Sequence, residues 1–296
     1  MDTILKTNAL VKKYGQTTVL NNINMTINRG DISGFVGKNG AGKTTFMRTV
    51  LSLTNPTSGE IKLFGDKSIA EVGLRVGSLI EAPGLYKNAT AYENLKRFSI
   101  LYGANEDKIQ EILELVGLGN TGKKKAKDFS LGMRQRLGIA IALLGEPELL
   151  LLDEPINGLD PAGIKDIRDL ILKLNKERNI TFLISSHLLD ELAKVVTKYG
   201  FINNGNLFEE IESKKLLEKC KQQVIIEVDD TKKALSILET MIDKKSISTK
   251  DNTVIIDANE DTAFINTKLV KGGVSVSSIY SNSISLEDYF MERIGA

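Results

Sequence analysis

The chain has 296 residues, 42% hydrophobic and 26% charged, with a formal net charge of +1. That length leaves room for one large globular domain or two smaller ones, and the composition excludes a disordered or fibrous chain. Near neutrality argues against strong non-specific nucleic-acid binding, and a single cysteine, Cys220, excludes an intramolecular disulfide and suits a reducing compartment.

Residues 1–6 carry no signal-peptide-like apolar run. Residues 4–11 and 19–27 alternate as strands do, separated by a turn at 12–16 in which Tyr14 is the one aromatic. A turn aromatic is ordinarily a partly buried surface residue. A flat ring 29 positions before Lys43 is also a surface on which any purine can stack. Residues 31–36 read as a short strand, and Phe46, Met47, Val50, Leu51 and Leu53 as the apolar face of a helix. Between them lies Gly37-Lys38-Asn39-Gly40-Ala41-Gly42-Lys43-Thr44, the pattern G-x-x-x-x-G-K-T. A triphosphate needs many donors close together. Glycines let the backbone turn so that several N–H groups face the phosphate oxygens at a helix N-terminus, whose dipole favours anions. Gly37, Asn39, Gly40, Ala41, Gly42, Lys43, Thr44 and Thr45 are therefore the expected nucleotide-binding segment. Lys43 would reach the β- and γ-phosphates, and the Thr44 hydroxyl would ligate Mg²⁺. A chance match in a Gly-rich turn is disfavoured by the strand before and the helix after.

Residues 59–64 and 75–80 read as further strands, the second broken at Glu81-Ala82-Pro83-Gly84. The pattern turns helical over 90–115, with Ile109, Ile112, Leu113 and Val116 in step, and stops near Gly117 and Gly119. The basic run 123–127 reads as a solvated loop before it reads as a binding patch. After 128–136 comes an apolar helix over 137–144, the best apolar run and far too short to cross a bilayer. Any membrane role therefore calls for a separate spanning partner. In Glu148-Leu149-Leu150-Leu151-Leu152-Asp153-Glu154-Pro155, four leucines before paired acids read as a buried parallel strand. Such a strand delivers carboxylates at its C-terminal end, where ligands bind in open α/β sheets. Asp153 would hold Mg²⁺ opposite Thr44. The plainer alternative is a strand that ends in surface acids.

Asp160 and Pro161 read as the N-cap and first residue of a helix carrying Ile164, Ile167, Leu170, Ile171 and Leu174. The next strand, 181–184, delivers Ser185-Ser186-His187 ahead of a helix over 188–196. A lone histidine is ordinarily structural. His187, at the end of a buried strand in a nucleotide-binding sheet, is a site candidate. Phe201-Ile202 and Leu207-Phe208 flank Asn203-Asn204-Gly205-Asn206, a hairpin signal. A charged helix over 212–221 leads to shorter segments: strands at 224–228, 253–257 and 274–280, helices at 232–242, 260–269 and 286–294. No catalytic pattern occurs there.

Taken together, Gly37 to Thr44, Ser130-Leu131-Gly132, Leu149 to Glu154, Asn157-Gly158-Leu159-Asp160 and His187 resemble, in order and spacing, the motifs of ABC transporter ATP-binding subunits. The resemblance covers about residues 1–220. It implies an α/β fold: a P-loop ABC ATPase domain over 1–220, with a mixed sheet and a helical subdomain at about 88–145, and a small C-terminal α+β domain over 221–296. It implies ATP and Mg²⁺ as cofactors, and ATP hydrolysis coupled to transport. By the same resemblance Tyr14 would stack on adenine. Lys43, Thr44 and Asp153 would hold phosphate and Mg²⁺, and Glu154 would be the general base. His187 would contact the γ-phosphate and lock the water against Glu154. Ser130 and Gly132 would cap the ATP of a second copy in a head-to-tail homodimer around two ATP, with Asp160 at the seam. The partner would be a separate integral membrane permease at the cytoplasmic face of the cell membrane.

Two departures stand out. The usual Leu-Ser-Gly-Gly-Gln signature reads Phe129-Ser130-Leu131-Gly132-Met133, keeping the serine and the second glycine. Glu81 stands where most relatives place a γ-phosphate-sensing glutamine; a glutamate there can still ligate Mg²⁺ or orient water. With Ser130-Leu131-Gly132-Met133-Arg134-Gln135-Arg136-Leu137-Gly138-Ile139-Ala140 and Val76-Gly77-Ser78-Leu79-Ile80-Glu81-Ala82-Pro83, the chain resembles the bacitracin-resistance and lantibiotic-immunity ATPases. Their cargo is an antimicrobial peptide, reached through the permease. The rival is a soluble ABC ATPase acting on nucleic acid or the ribosome. Only about 86 residues separate Lys43 from Ser130, too few for a long coiled coil, and the chain has one cassette and no strong positive charge.

Overall fold

The structure is a computed structural model that describes residues 2–65, 67–220, 222–256, 261–283 and 285–293. The chain divides into two compact units, Met1–Ser213 and Lys214–Ala296.

The first unit opens with β1 (Thr3–Tyr14) and β2 (Thr17–Asn28), then β3 (Ile32–Val36), α1 (Lys43–Val50), β4 (Ser58–Leu63), α2 (Ile69–Val72) and β5 (Val76–Leu79). Three helices follow, α3 (Ala91–Tyr102), α4 (Ile109–Leu115) and α5 (Leu131–Leu143). The chain then runs through β6 (Leu149–Asp153), α6 (Pro161–Arg178), β7 (Thr181–Ser186), α7 (Leu189–Ala193), β8 (Lys198–Asn203) and β9 (Asn206–Glu212). One sheet has the order β5-β6-β7-β3-β8-β9. Its first five strands run parallel and β9 returns antiparallel. A smaller antiparallel sheet has the order β2-β1-β4.

The reason for the parallel core is in the residues. Leu149, Leu150, Leu151 and Leu152 of β6 are all fully buried, as a strand covered on both faces must be. Phe46, Met47 and Val50 of α1 join Leu149, Leu151 and Leu183 in the core shared with β1 and β2. Leu53, expected on that helical face, lies beyond the end of α1 and is exposed. The helices α3, α4 and α5 pack on one another. Among the described residues no helix is long and apolar enough to cross a membrane.

Three differences from the sequence reading have plain causes. β1 runs on through Lys12 and Lys13 to Tyr14, which pairs with Thr17 across a two-residue turn at Gly15 and Gln16. These strand ends are partly or fully exposed, so no apolar alternation marked them. α5 begins at Leu131 rather than 137: Ser130 is its N-cap, its Oγ accepting the Met133 N–H at 3.2 Å. β7 continues two residues further, so Ser185 and Ser186 are strand residues.

The second unit holds α8 (Ser213–Lys219, from the boundary residue onward), β10 (Gln222–Val228), α9 (Thr231–Leu238), β11 (Ile247–Lys250), β12 (Thr253–Ile256), α10 (Thr262–Lys271), β13 (Val276–Ser283) and α11 (Leu286–Arg293). Its antiparallel sheet has the order β11-β12-β10-β13. From β10 on this is a β-α-β-β-α-β chain whose first strand lies between the third and fourth, the split βαβ arrangement. Val224, Ile226 and Val228 of β10 pack with Leu238, Val254 and Leu269 in a core of their own. β11, mostly exposed and short, had no apolar signal in the sequence. The expected ends at Lys221, Asp257, Glu260 and Ile294 lie outside the described residues.

Candidate functional site

The ends of β3, β6 and β7 converge at the start of α1, because the three strands are parallel neighbours. Gly37 follows β3 and donates its N–H to the Ser186 carbonyl at 3.4 Å. A Cβ at Gly37 would stand 2.4 Å from the Ile202 carbonyl oxygen of β8, so only glycine lets the loop leave the sheet here. Gly42, the N-cap of α1, sits at φ +109°, a conformation that side chains resist. The loop lines an open cavity of about 210 Å³ bounded by Val19, Asn39, Gly40, Gly42, Lys43, Thr44, Thr45 and Glu154.

The charges in this cavity form a chain. Lys43 is buried and folded onto its own loop, its Nζ donating to the Gly37 carbonyl at 2.7 Å and the Lys38 carbonyl at 3.3 Å. The same Nζ stands 3.1 Å from Glu154 Oε1. The pair is close enough for an ion pair, yet the angles make no hydrogen bond, and Oε1 is a buried acceptor without a donor. Glu154 Oε2 lies 2.9 Å from His187 Nδ1, whose N–H donates to the carboxylate. Glu154 itself has φ +48°, a left-handed conformation that costs a non-glycine residue about 1 kcal/mol or more. Its N–H is held by the Ser185 carbonyl at 3.2 Å and the Ser185 hydroxyl at 2.9 Å.

Asp153 is buried beside Thr44. Thr44 Oγ1 donates to Asp153 Oδ2 at 2.7 Å. Two adjacent ligands of an octahedral Mg²⁺ with bonds of about 2.05 Å stand about 2.9 Å apart, so this hydroxyl and carboxylate are spaced to share such an ion. Among the described residues no three His, Cys, Asp or Glu side chains converge on a protein-only metal cage.

Other expected residues have contacts of their own. Glu81, just past β5 at φ +60°, is exposed and bonds Arg48 Nη2 at 2.7 Å. Tyr14 is half-exposed, with Lys12 Nζ 4.7 Å from its ring centroid. Asp160 caps α6, its Oδ1 accepting the Gly163 N–H at 3.0 Å. Gly132 lies in the first turn of α5, where a Cβ would meet nothing closer than 3.7 Å. Its own chain does not require glycine there.

Sequence reasoning assigned no role to Ser185 or Arg48. A serine in the buried run Phe182-Leu183-Ile184-Ser185 was the available signal for the first. Arg48 was one more basic residue on a helix, and only the fold brings it to Glu81.

A glycine-rich loop between strand and helix, with a lysine in its mouth and strand-end carboxylates beside it, defines a P-loop nucleotide-binding protein of α/β class. A family model described as ABC transporter matches residues 20–157. The bacitracin transport ATP-binding protein BcrA of Bacillus licheniformis is 44% identical over 301 residues, covering 100% of this chain and 98% of the relative. The lantibiotic transport ATP-binding protein SrtF of Streptococcus pyogenes is 45% identical over 228 residues, covering 76% of this chain and 99% of the relative. Among solved structures, the ATP-binding cassette MJ0796, in a dimeric post-hydrolysis state bound to ADP and Pi, aligns at TM-score 0.62 and 25% identity over 71% of this chain and 99% of that one. The chain belongs to the ABC transporter family, as an ATP-binding, ATP-hydrolysing subunit. The alternative of a soluble ABC ATPase acting on nucleic acid or the ribosome is not favoured.

Proposed function

We propose that this chain works as a homodimer around two ATP on a separate membrane permease, at the cytoplasmic face, to export or clear antimicrobial peptides of the bacitracin or lantibiotic type. The observation that carries this is the similarity to BcrA along the whole chain, second unit included. The lantibiotic transport relative, matched over 99% of its own length, supports the same peptide class.

The roles of the residues follow from their chemistry. An incoming triphosphate would exchange with Glu154 for Lys43, whose Nζ already sits in the cavity mouth among loop carbonyls. Thr44 and Asp153 would hold Mg²⁺, which when bound supplies positive charge against the β- and γ-phosphate oxygens. Glu154, released from Lys43, would take the proton of the attacking water, and His187 would hold its carboxylate in place through Oε2. Asn39, Gly40, Ala41, Gly42 and Thr45 would offer backbone donors. Ser130 and Gly132 would approach the partner copy's nucleotide, a use that explains a glycine its own fold leaves optional. Tyr14 would stack on adenine, and Asp160 would lie at the seam.

The experiment is peptide protection in cells carrying this chain with its permease, beside Glu154→Gln, against bacitracin and a lantibiotic panel. Protection by the wild type that disappears with Glu154→Gln is the expected result. Absence of protection against every peptide overturns the cargo assignment and leaves the ATPase untouched.

A further inference from the structure

We infer, resting on the proposed roles of Asp153 and Glu154, that Ser185 is a positioning residue that couples the Mg²⁺-side carboxylate to the backbone of the general base. Ser185 is fully buried in β7, in parallel register with Asp153 of β6. Its single hydroxyl proton goes to Asp153 Oδ1. Its oxygen accepts the Glu154 N–H at 2.9 Å. The other Asp153 oxygen accepts from Thr44 at 2.7 Å. The result is an ordered chain, Glu154 N–H to Ser185 Oγ–H to Asp153, in which each bond polarises the next.

Two things follow from that chain. Asp153 is gripped on both oxygens, so Oδ2 cannot rotate away from Thr44. The Glu154 N–H is fixed where the residue holds φ +48°, the turn that sends its carboxylate to Lys43 and His187. Packing alone does not call for a hydroxyl here. The preceding residues Phe182, Leu183 and Ile184 are apolar and fully buried, and an apolar side chain would suit the strand without the cost of burying a polar group. The hydroxyl is explained by the two acids it joins.

The test uses the full chain with Ser185→Ala, Ser185→Thr and Glu154→Gln. A fluorescent ATP analogue is titrated with Mg²⁺ and with a chelator, and steady-state hydrolysis is followed against both ATP and Mg²⁺. Ser185→Ala is expected to keep metal-free nucleotide affinity within about twofold and lose most of the gain that Mg²⁺ adds. It is also expected to need about tenfold more Mg²⁺ for half-maximal hydrolysis, and to lower kcat by about 10- to 100-fold with little change in KM, the scale of a lost hydrogen bond to a charged group. Ser185→Thr, which restores the hydroxyl, should recover the Mg²⁺ response. Should Ser185→Ala fail to fold, Ser185→Cys fills the space of the hydroxyl with a slightly larger and much weaker donor and carries the same expectation. Wild-type Mg²⁺ response and kcat in Ser185→Ala, beside an inactive Glu154→Gln, overturns this inference alone. Equal losses with and without Mg²⁺ also overturn it, as a merely structural role. Full activity in Glu154→Gln overturns the proposed general base and the inference with it.

Discussion

At the level of single residues, Lys43, Glu154 and His187 form a chain of polar contacts at the mouth of the loop. Lys43 faces the Glu154 carboxylate and donates to two carbonyls of its own loop, so removing it has two effects. Phosphate loses a charge-assisted donor, and Glu154 is left as an uncompensated negative charge facing the anion. Lys43→Ala is therefore expected to weaken nucleotide binding by on the order of 10- to 100-fold, read by titration of a fluorescent nucleotide; unchanged affinity would remove Lys43 from the phosphate cradle. Glu81 is different. Its pair with Arg48 is exposed on both sides and contributes about 0–1 kcal/mol. Glu81→Gln should leave stability and nucleotide affinity nearly as they are, and alter the hydrolysis rate or its coupling to the permease. Equal ATPase and equal peptide protection would make the glutamate a neutral replacement.

At the level of elements, the N-terminal edge of the main sheet is clamped by one carboxylate. Glu148, immediately before β6, bonds Arg75 at 2.5 Å ahead of β5 and Arg29 at 2.6 Å just past β2. Arg29 in turn bonds Asp2 at 2.7 Å. The hydrogen bond from Arg75, and then that from Arg29, outweigh partial burial and hold the Glu148 carboxyl below the usual glutamate range. A carboxylate depressed in the folded state contributes stability above its unfolded pKa, and that contribution fades as pH falls through the folded value. Glu148→Gln should thus cost about 1 kcal/mol at neutral pH, and the gap from wild type should close as the pH drops below the ordinary glutamate range. Denaturant titrations at a series of pH values measure this; a gap independent of pH would assign the clamp to packing. The elements were legible in the sequence wherever the core dictated them, as in the four leucines of β6 and the Asp160-Pro161 start of α6. They were not legible where exposed or polar residues sit in regular structure. The end of β1 at Tyr14, the first two turns of α5 and the whole of β11 carry too little apolar periodicity to announce themselves.

For the whole molecule, two units each with their own hydrophobic core separate the nucleotide-binding chemistry from the appended split βαβ unit. If the proposed seam holds, the fully assembled state is two copies enclosing nucleotide. Glu154→Gln, which keeps Lys43, Thr44 and Asp153 but cannot activate water, should accumulate as an ATP-bound dimer of twice the 32.5 kDa chain mass. Light scattering with saturating ATP and Mg²⁺ measures that, and a monomer under those conditions would count against the shared site.

The loop, the strand-end acids and their order along the chain could be read from the residues alone, because phosphate chemistry demands particular residue types at fixed local spacing. How those residues meet one another depends on the fold. The parallel register of β6 and β7 brings Ser185 to Asp153, and the left-handed turn at Glu154 brings its carboxylate between Lys43 and His187. The packing of α1 beside β5 brings Arg48 to Glu81. Those partners lie 32 to 111 positions apart in the chain, and such pairings are fixed by strand register and helix packing, which no local pattern encodes.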